Sequence, residues 1–248
     1  MDCLRTRRID RRAALQTPNI SLRNAETGRQ GTLVLTAHLG DPAYFESVRN
    51  VIERTGATVF YESIRRRDDS PEHWREKYHR LLKRIREDLY VTLSDLEGLA
   101  FQGIALAPGT DWVSADVDCC QFAGELRRRN ISTLRYELAL DMLDGLFTRV
   151  RAGNRSAAKT LEMMMKFGLM FVSVGYVFEF INWLPSSRGF QSVAADWRND
   201  VAAKVVTSNA TGDWVLVYGA AHGPGLLELF RKAGYVETQR DWQTVFTV

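Results

Sequence analysis

Short apolar runs recur along the chain, and amphipathic segments follow them near both ends. Residues 32–36 and 214–218 are rich in branched and aromatic side chains and have the length of buried strands. After the second run, apolar residues return at helical spacing over 226–233 and stop at Gly234, which predicts a helix that ends at a glycine. The pattern therefore predicts an α/β or α+β fold, in which strands and helices share one core.

A strand–helix–strand unit is predicted near the amino-terminal end. Pro42 is typical of a first helical residue and predicts a helix over residues 42–55, after which residues 57–61 form a second strand. Because a helical crossover joins parallel strands, both strands should end at the same edge of the sheet. This edge would carry His38, which follows the first strand, and Glu62, which follows the second.

Two histidines occupy matching positions in the two predicted units. His38 follows the strand at residues 32–36, and His222 follows the strand at residues 214–218. Each lies shortly before a predicted helix, which is where open α/β sheets bind their ligands. The repetition predicts two pseudosymmetric halves with a central cleft between them, into which both histidines converge.

Four motifs of this chain carry a resemblance to a known family. They are LTAHLGD with His38, VFYES with Glu62, DWRNDVAAKV with Arg198 and Asn199, and YGAAHGPG with Gly219 and His222. On these residues the chain resembles the TraB, GumN and Tiki group, which is related more distantly to ChaN and the erythromycin esterases. The family usually has two Gly-x-x-His motifs, whereas this chain has one, since Leu35 stands in the place of the glycine before His38.

This resemblance implies one domain over residues 31–248, built from two halves, and a hydrolase of peptide or ester bonds. Tiki-like members imply metal-dependent peptide cleavage, and TraB itself implies shutdown of a peptide pheromone. The resemblance also implies that Arg198 points into the cleft. The alternative is a member that binds a ligand without turning it over, and haem binding of the ChaN kind is one form of it.

The residue types suit hydrolysis by either of two routes. His38, Glu62 and His222 are suitable ligands for Mn, Co or Zn, and water on such an ion becomes a nucleophile near neutral pH. Without a metal, a histidine polarised by Glu62 would activate water directly, as the likeness to erythromycin esterases implies. In both routes Arg198 would stabilise the oxyanion of a tetrahedral intermediate. The predicted catalytic residues are thus Glu62, Arg198, His38 and His222, and the sequence leaves both routes open.

Two aspartates end another predicted strand, over residues 110–117. Asp116 and Asp118 lie two residues apart, near the sheet edge at which this strand ends. One of them would orient a ligand or cap the following helix, because Asp is favoured at such turns.

Charge and cysteine usage narrow the possible partners. The 248 residues include 33 basic and 30 acidic side chains, intermixed along the chain, which is not the basic stripe of a nucleic-acid-binding protein. The expected partner is therefore a peptide or small-molecule substrate. Cys3, Cys119 and Cys120 have no C-x-x-C spacing, so neither a zinc finger nor a disulfide framework is expected.

Two parts of the sequence bear on the location of the protein in the cell: its first 30 residues and one apolar segment. Residues 1–30 are predicted to be a basic arm and a polar linker without the apolar core of a secretory signal, which favours a cytoplasmic protein. Residues 163–184 approach bilayer length, but Lys166, Glu179 and Asn182 interrupt them. We expect this segment to be buried in protein or to face the substrate, with a membrane span as the alternative.

Overall fold

The computed structural model describes residues 3–9, 12–64, 90–91, 94–95, 98–132, 141, 145–150, 152–157, 159 and 188–247. In chain order, the elements that carry the argument are β1 (Arg5–Ile9), β2 (Arg12–Asn24), β3 (Gln30–Thr36), β4 (Leu39–Gly40), α1 (Pro42–Thr55), β5 (Thr58–Tyr61), β6 (Ala100–Phe101), α2 (Gln102–Ala105), β7 (Val113–Ser114), α3 (Cys119–Arg128), α4 (Arg188–Gln191), a π-helical turn (Ser192–Trp197), α5 (Arg198–Asn209), β8 (Trp214–Gly219), a 3₁₀ turn (Ala220–His222), α6 (Gly223–Lys232) and β9 (Tyr235–Thr247).

One mixed sheet organises the described part of the chain and confirms the α/β character of the fold. Its order is β1-β2-β3-β8-β5-β7, and β9 pairs with the long strand β2. The strands β3, β8, β5 and β7 are mutually parallel, whereas β1, β2, β3 and β9 pair in antiparallel fashion. The parallel half therefore brings four carboxyl strand ends to one edge.

The βαβ unit over residues 32–61 is confirmed, with one addition. Helix α1 has a proline in its first turn and ends at Gly56, whose φ of 58° is the left-handed conformation that favours glycine. The strands β3 and β5 are parallel as predicted, but β8 lies between them and hydrogen-bonds to both. A strand from the end of the chain thus fills the centre of a unit from its beginning.

The core beneath the sheet depends on close packing around Trp214. Its ring stacks on Phe230 at 4.6 Å, and its Nε1 donates to the hydroxyl of Tyr235 at 3.1 Å. Gly31 lies against the same ring, and a Cβ at this position would come within 2.2 Å of Trp214 Cζ2. Burial of such an aromatic side chain stabilises the fold by roughly 1.5–3 kcal/mol, which anchors β8 beside β3.

The predicted arm and linker over residues 1–30 were wrong for most of that range, because residues 5–9 form β1 and residues 12–24 form β2. The polar composition of 16–24 hid the second strand. Gln16, Thr17 and Asn19 are buried, but their side chains or backbone groups are paired within the sheet. Thr17 Oγ1, for example, lies 2.9 Å from the hydroxyl of Tyr44. A buried polar side chain with partners costs little, so the strand does not need an apolar sequence.

Two further sequence predictions concern a strand and an apolar segment. The strand expected over 110–117 is much shorter and covers only Val113–Ser114. The apolar segment 163–184 lies outside the described residues. In the part of the chain that is described, no helix has both the length and the apolar character to cross a membrane.

Candidate active site

The candidate site lies at the carboxyl ends of the parallel strands. Glu62 directly follows β5, His38 follows β3 by two residues, and His222 ends the 3₁₀ turn after β8. Thr36 and Gly219 are partners in the β3–β8 register, so the chain leaves both strands at the same level. The backbone N–H of Ala115 donates to Tyr61 O at 3.0 Å beyond β7, which brings Asp116 to this edge as well.

Glu62 is held as a carboxylate by two donors. Its Oε1 accepts from Arg198 Nη2 at 2.6 Å, and its Oε2 accepts from the backbone N–H of Gly219 at 2.7 Å. Burial opposes ionisation of this side chain, which is 13% exposed. The charge of Arg198, then those of His222 and His38, and the Gly219 N–H outweigh burial and lower the pKa of Glu62 to about 2. Glu62 is therefore negative at neutral pH.

Arg198 bridges two carboxylates. It lies at the start of α5, after the π-helical turn, and binds Asp116 with a fork: Nε donates to Oδ1 at 2.9 Å and Nη2 to Oδ2 at 2.6 Å. Burial lowers its pKa, but Asp116 and then Glu62 raise it by more, so the pKa of Arg198 lies well above its ordinary value. A guanidinium in this position stays charged and orients both acids.

His222 is a buried, neutral imidazole with a defined tautomer. Its Nε2 lies 3.4 Å from Arg198 Nη1, and its Nδ1 lies 2.7 Å from Asn199 Oδ1. Because arginine only donates, Nε2 accepts, and the ring proton is on Nδ1, where it is donated to Asn199. Burial lowers the pKa of His222 to about 4, helped by the charge of Arg198 and opposed by that of Glu62.

His38 is partly buried and lies within electrostatic range of the same cluster. Burial lowers the pKa of His38, the charge of Glu62 raises it, and the charge of Arg198 lowers it further. Its Nδ1 lies 2.9 Å from Gln102 Oε1, and its ring lies 4.9 Å from the ring of Tyr90. The pKa of His222 responds in turn to His38, so the two imidazoles belong to one electrostatic unit.

The two aspartates have separate roles. Asp116, whose side chain is fully buried, binds the guanidinium of Arg198. Asp118 is the N-cap of α3, where Oδ1 accepts from the backbone N–H groups of Cys120 and Gln121 at 2.8 Å each. The prediction of a helix-capping aspartate is thus confirmed for Asp118, whereas Asp116 does not cap the helix.

Two residues of the site were not predicted as catalytic or metal-binding. Asn199 was visible as part of the Arg-Asn pair, but the sequence did not show that it would face His222. Gln102 was not predicted: the sequence favoured a helix over residues 93–103, whereas the structure has the two-residue strand β6 just before Gln102. Its contact with His38 depends on the pairing of β6 with β4.

The hydrogen bonds around Glu62 and His222 affect whether these residues could bind a metal ion. Among the described residues, no group of three or more His, Cys, Asp or Glu side chains is placed to hold a metal ion. Both oxygens of Glu62 already accept hydrogen bonds, and the guanidinium of Arg198 lies beside His222 Nε2. A divalent cation at this point would face the fixed positive charge of Arg198, which disfavours its binding. Metal binding by these three residues stays a prediction.

Comparison with known proteins adds no family assignment: no protein-family model matches the chain, and no match was found among curated proteins. The likeness to the TraB, GumN and Tiki group therefore depends on the quoted motifs alone and stays a prediction.

Proposed function

We propose that the protein is a hydrolase of peptide or ester bonds that uses His38, Glu62, Arg198 and His222. The observation that carries the proposal is the contact of Arg198 with both Glu62 and His222 at the carboxyl ends of parallel strands. Buried, charged and strongly perturbed groups are concentrated at catalytic sites more often than elsewhere. The two strand–His–helix units would form pseudosymmetric halves, with the substrate in the cleft between them.

The proposed reaction follows the route without a metal. Water attacks the carbonyl carbon, a neutral imidazole takes the proton of the water, and the C=O electrons move to oxygen. The N–H groups of Arg198 already bind Asp116, Glu62, His222 and a backbone carbonyl, so it would stabilise that oxyanion through its positive charge. The imidazolium gives its proton to the leaving amine or alcohol as the C–N or C–O bond breaks. Glu62 stabilises the imidazolium, because its negative charge raises the pKa of both histidines.

A second candidate function is binding without turnover. Its support is that Glu62, Asp116 and Arg198 already satisfy one another inside the protein. Such a closed network also suits a structural role for these charges, with a ligand held nearby. The motif likeness covers this case, since the related group includes ligand-binding members.

Glu62→Gln tests the proposal, because the change keeps size and shape and removes the charge. Turnover of fluorogenic peptides and p-nitrophenyl esters should fall by about a hundredfold or more, while metal content measured by mass spectrometry stays the same. The matched control is Glu228→Gln on the exposed face of α6, which should leave turnover unchanged.

Three other outcomes are distinct. Loss of bound metal together with turnover would make Glu62 a metal ligand and revive the metal-dependent route. Unchanged turnover with slightly lower thermal stability would remove Glu62 from the mechanism. A wild-type protein that hydrolyses none of the peptides or esters, yet shifts in thermal stability when one of them is added, would favour binding without turnover.

A further inference from the structure

Gln102 holds His38 at two points. The short strands β4 and β6 pair in antiparallel fashion, with Leu39 opposite Phe101. Directly beyond this pair, the backbone N–H of Gln102 donates to His38 O at 2.8 Å. The side chain of Gln102 then reaches the ring of His38, where Oε1 lies 2.9 Å from Nδ1. The backbone contact fixes the distance between the two residues, and the side-chain contact fixes the orientation of the His38 ring.

The direction of the side-chain contact follows from a chain of donors. Thr36 Oγ1 donates to the carbonyl of Tyr218 at 3.3 Å, since a carbonyl oxygen can only accept. The same hydroxyl oxygen accepts from Gln102 Nε2 at 2.9 Å, because an amide nitrogen only donates. The amide is thereby oriented with Oε1 toward His38, and His38 Nδ1 must carry the proton.

We infer that Gln102 is a positioning residue that holds His38 in the Nδ1–H tautomer and leaves the lone pair on Nε2. The other tautomer would set a nitrogen lone pair against the lone pairs of Oε1 and leave a hydrogen bond unmade. This inference rests on the proposed function and deepens it, because it assigns the role of base. His222 Nε2 already accepts from Arg198 Nη1, so His38 is the imidazole whose Nε2 takes the proton of water.

The tautomer is measurable without any substrate. Long-range ¹H–¹⁵N correlation spectra at neutral pH should show His38 with a protonated Nδ1 and an unprotonated Nε2, with the ring assigned from a His38→Gln sample. In Gln102→Leu the acceptor is lost, and a large share of His38 should move to the Nε2–H tautomer. An Nε2–H ring in the wild type, or an unchanged tautomer in Gln102→Leu, overturns the inference.

Gln102→Glu gives a second and opposite signature. A carboxylate still accepts from Nδ1–H, so the tautomer should be kept, and its charge should raise the pKa of His38. The low-pH limb of the kcat/KM profile should then move to higher pH, because the reaction needs neutral His38. A limb that stays in place while the NMR titration of His38 moves would show that His38 is not the base.

Kinetic measurements on the variants also distinguish a residue that positions His38 from one that only supports the fold. Gln102→Leu should lower kcat by about tenfold to a hundredfold with little change in KM, as expected when a residue that orients a histidine is lost. Gln239→Leu makes the same chemical change on an exposed strand and should alter neither kcat nor the tautomer. If Gln102→Leu does not fold, Thr36→Val tests the same chain, since loss of the hydroxyl frees the amide to rotate and should also populate the Nε2–H ring.

Failure of this inference and failure of the proposed function are distinguishable. If the protein has no hydrolytic activity but the tautomer of His38 still depends on Gln102 in the spectra, the tautomer assignment stands and the proposed hydrolysis is wrong. If the protein is active but the tautomer of His38 does not depend on Gln102, the proposed hydrolysis stands and the positioning role of Gln102 is wrong.

Discussion

Arg198 Nη2 lies 2.6 Å from Glu62 Oε1, although 136 positions of sequence separate the two residues. The side chains are 9% and 13% exposed, so water screens the pair only weakly. Each group therefore depends on the other: without Arg198 the carboxylate would be buried and unpaired, and the pKa of Glu62 would rise.

Removal of the guanidinium should destabilise the protein strongly. Arg198→Met leaves Glu62 and Asp116 without their cation, and loss of one partner of a buried ion pair costs about 3–5 kcal/mol. Urea unfolding of the variant and the wild type measures this difference. Arg128→Met removes an exposed guanidinium while Glu125 keeps its pair with Arg129, so stability should change little. Equal losses in the two variants would contradict a structural role for the buried cluster.

The two aspartates should respond differently to the same change. Asp116→Ala leaves a buried guanidinium poorly paired and should cost about 3–5 kcal/mol. Asp118→Ala removes the N-cap of α3 and should cost about 1 kcal/mol. Denaturant curves for both variants decide the point, and a larger loss for Asp118→Ala would reverse the assignment of roles.

Stability should fall with acid in two steps. The pKa of His222 is about 4 in the folded protein against an ordinary 6.5, so the unfolded chain binds the extra proton first and stability declines from about pH 6.5 to about pH 4. The pKa of Glu62 is about 2 against 4.5, so its contribution is full above pH 4.5 and declines toward pH 2.

Thermal unfolding between pH 8 and pH 2 measures both steps. His222→Gln should reduce the upper step, to which His38 also contributes because burial lowers its pKa. The lower step should shift only slightly, because Arg198 lowers the pKa of Glu62 more than His222 does. If the variant keeps the same slope between pH 6.5 and pH 4, His222 is not the titrating group.

How much of this site the sequence could predict depended on which contacts were local. His38, Glu62 and His222 were placed at one sheet edge because each directly follows an apolar strand, and strand direction follows from the crossover. The bond between Asp116 and Arg198 joins residues from separate elements, and nothing in the spacing of either residue encodes it. The same is true of Gln102, whose place depends on the pairing of two strands of two residues each.

The amino-terminal strands were missed for a different reason. Residues 16–24 contain enough polar side chains to be typical of a linker, whereas their burial depends on β9, which comes from the other end of the chain. Where tertiary pairing satisfies polar groups, an apolar pattern is not needed, and a method based on pattern cannot detect the strand.

Gly225 should not tolerate a side chain, although it lies in a helix. A Cβ here would come within 2.4 Å of Asn199 Nδ2, and Asn199 holds His222. Gly225→Ala should therefore lower the melting temperature and displace the ring signals of His222 in NMR spectra. In α3, by contrast, Gly124 has no heavy atom within 4 Å of an added Cβ, so Gly124→Ala should stabilise the helix by about 0.5–1 kcal/mol. A gain in both variants would show that α6 has room beside Asn199.

The position of β8 between β3 and β5 has a consequence for the order of folding. During synthesis α1 can form early, but the two strands that flank it cannot complete their ladders until residues 214–219 arrive. Pairing of such distant segments is slow, and open strand edges expose a nascent chain to aggregation. His222 reaches the sheet edge together with β8, so a chain still short of these residues lacks both the centre of the sheet and half of the histidine pair. Full assembly of the site and completion of the sheet should therefore be one late event.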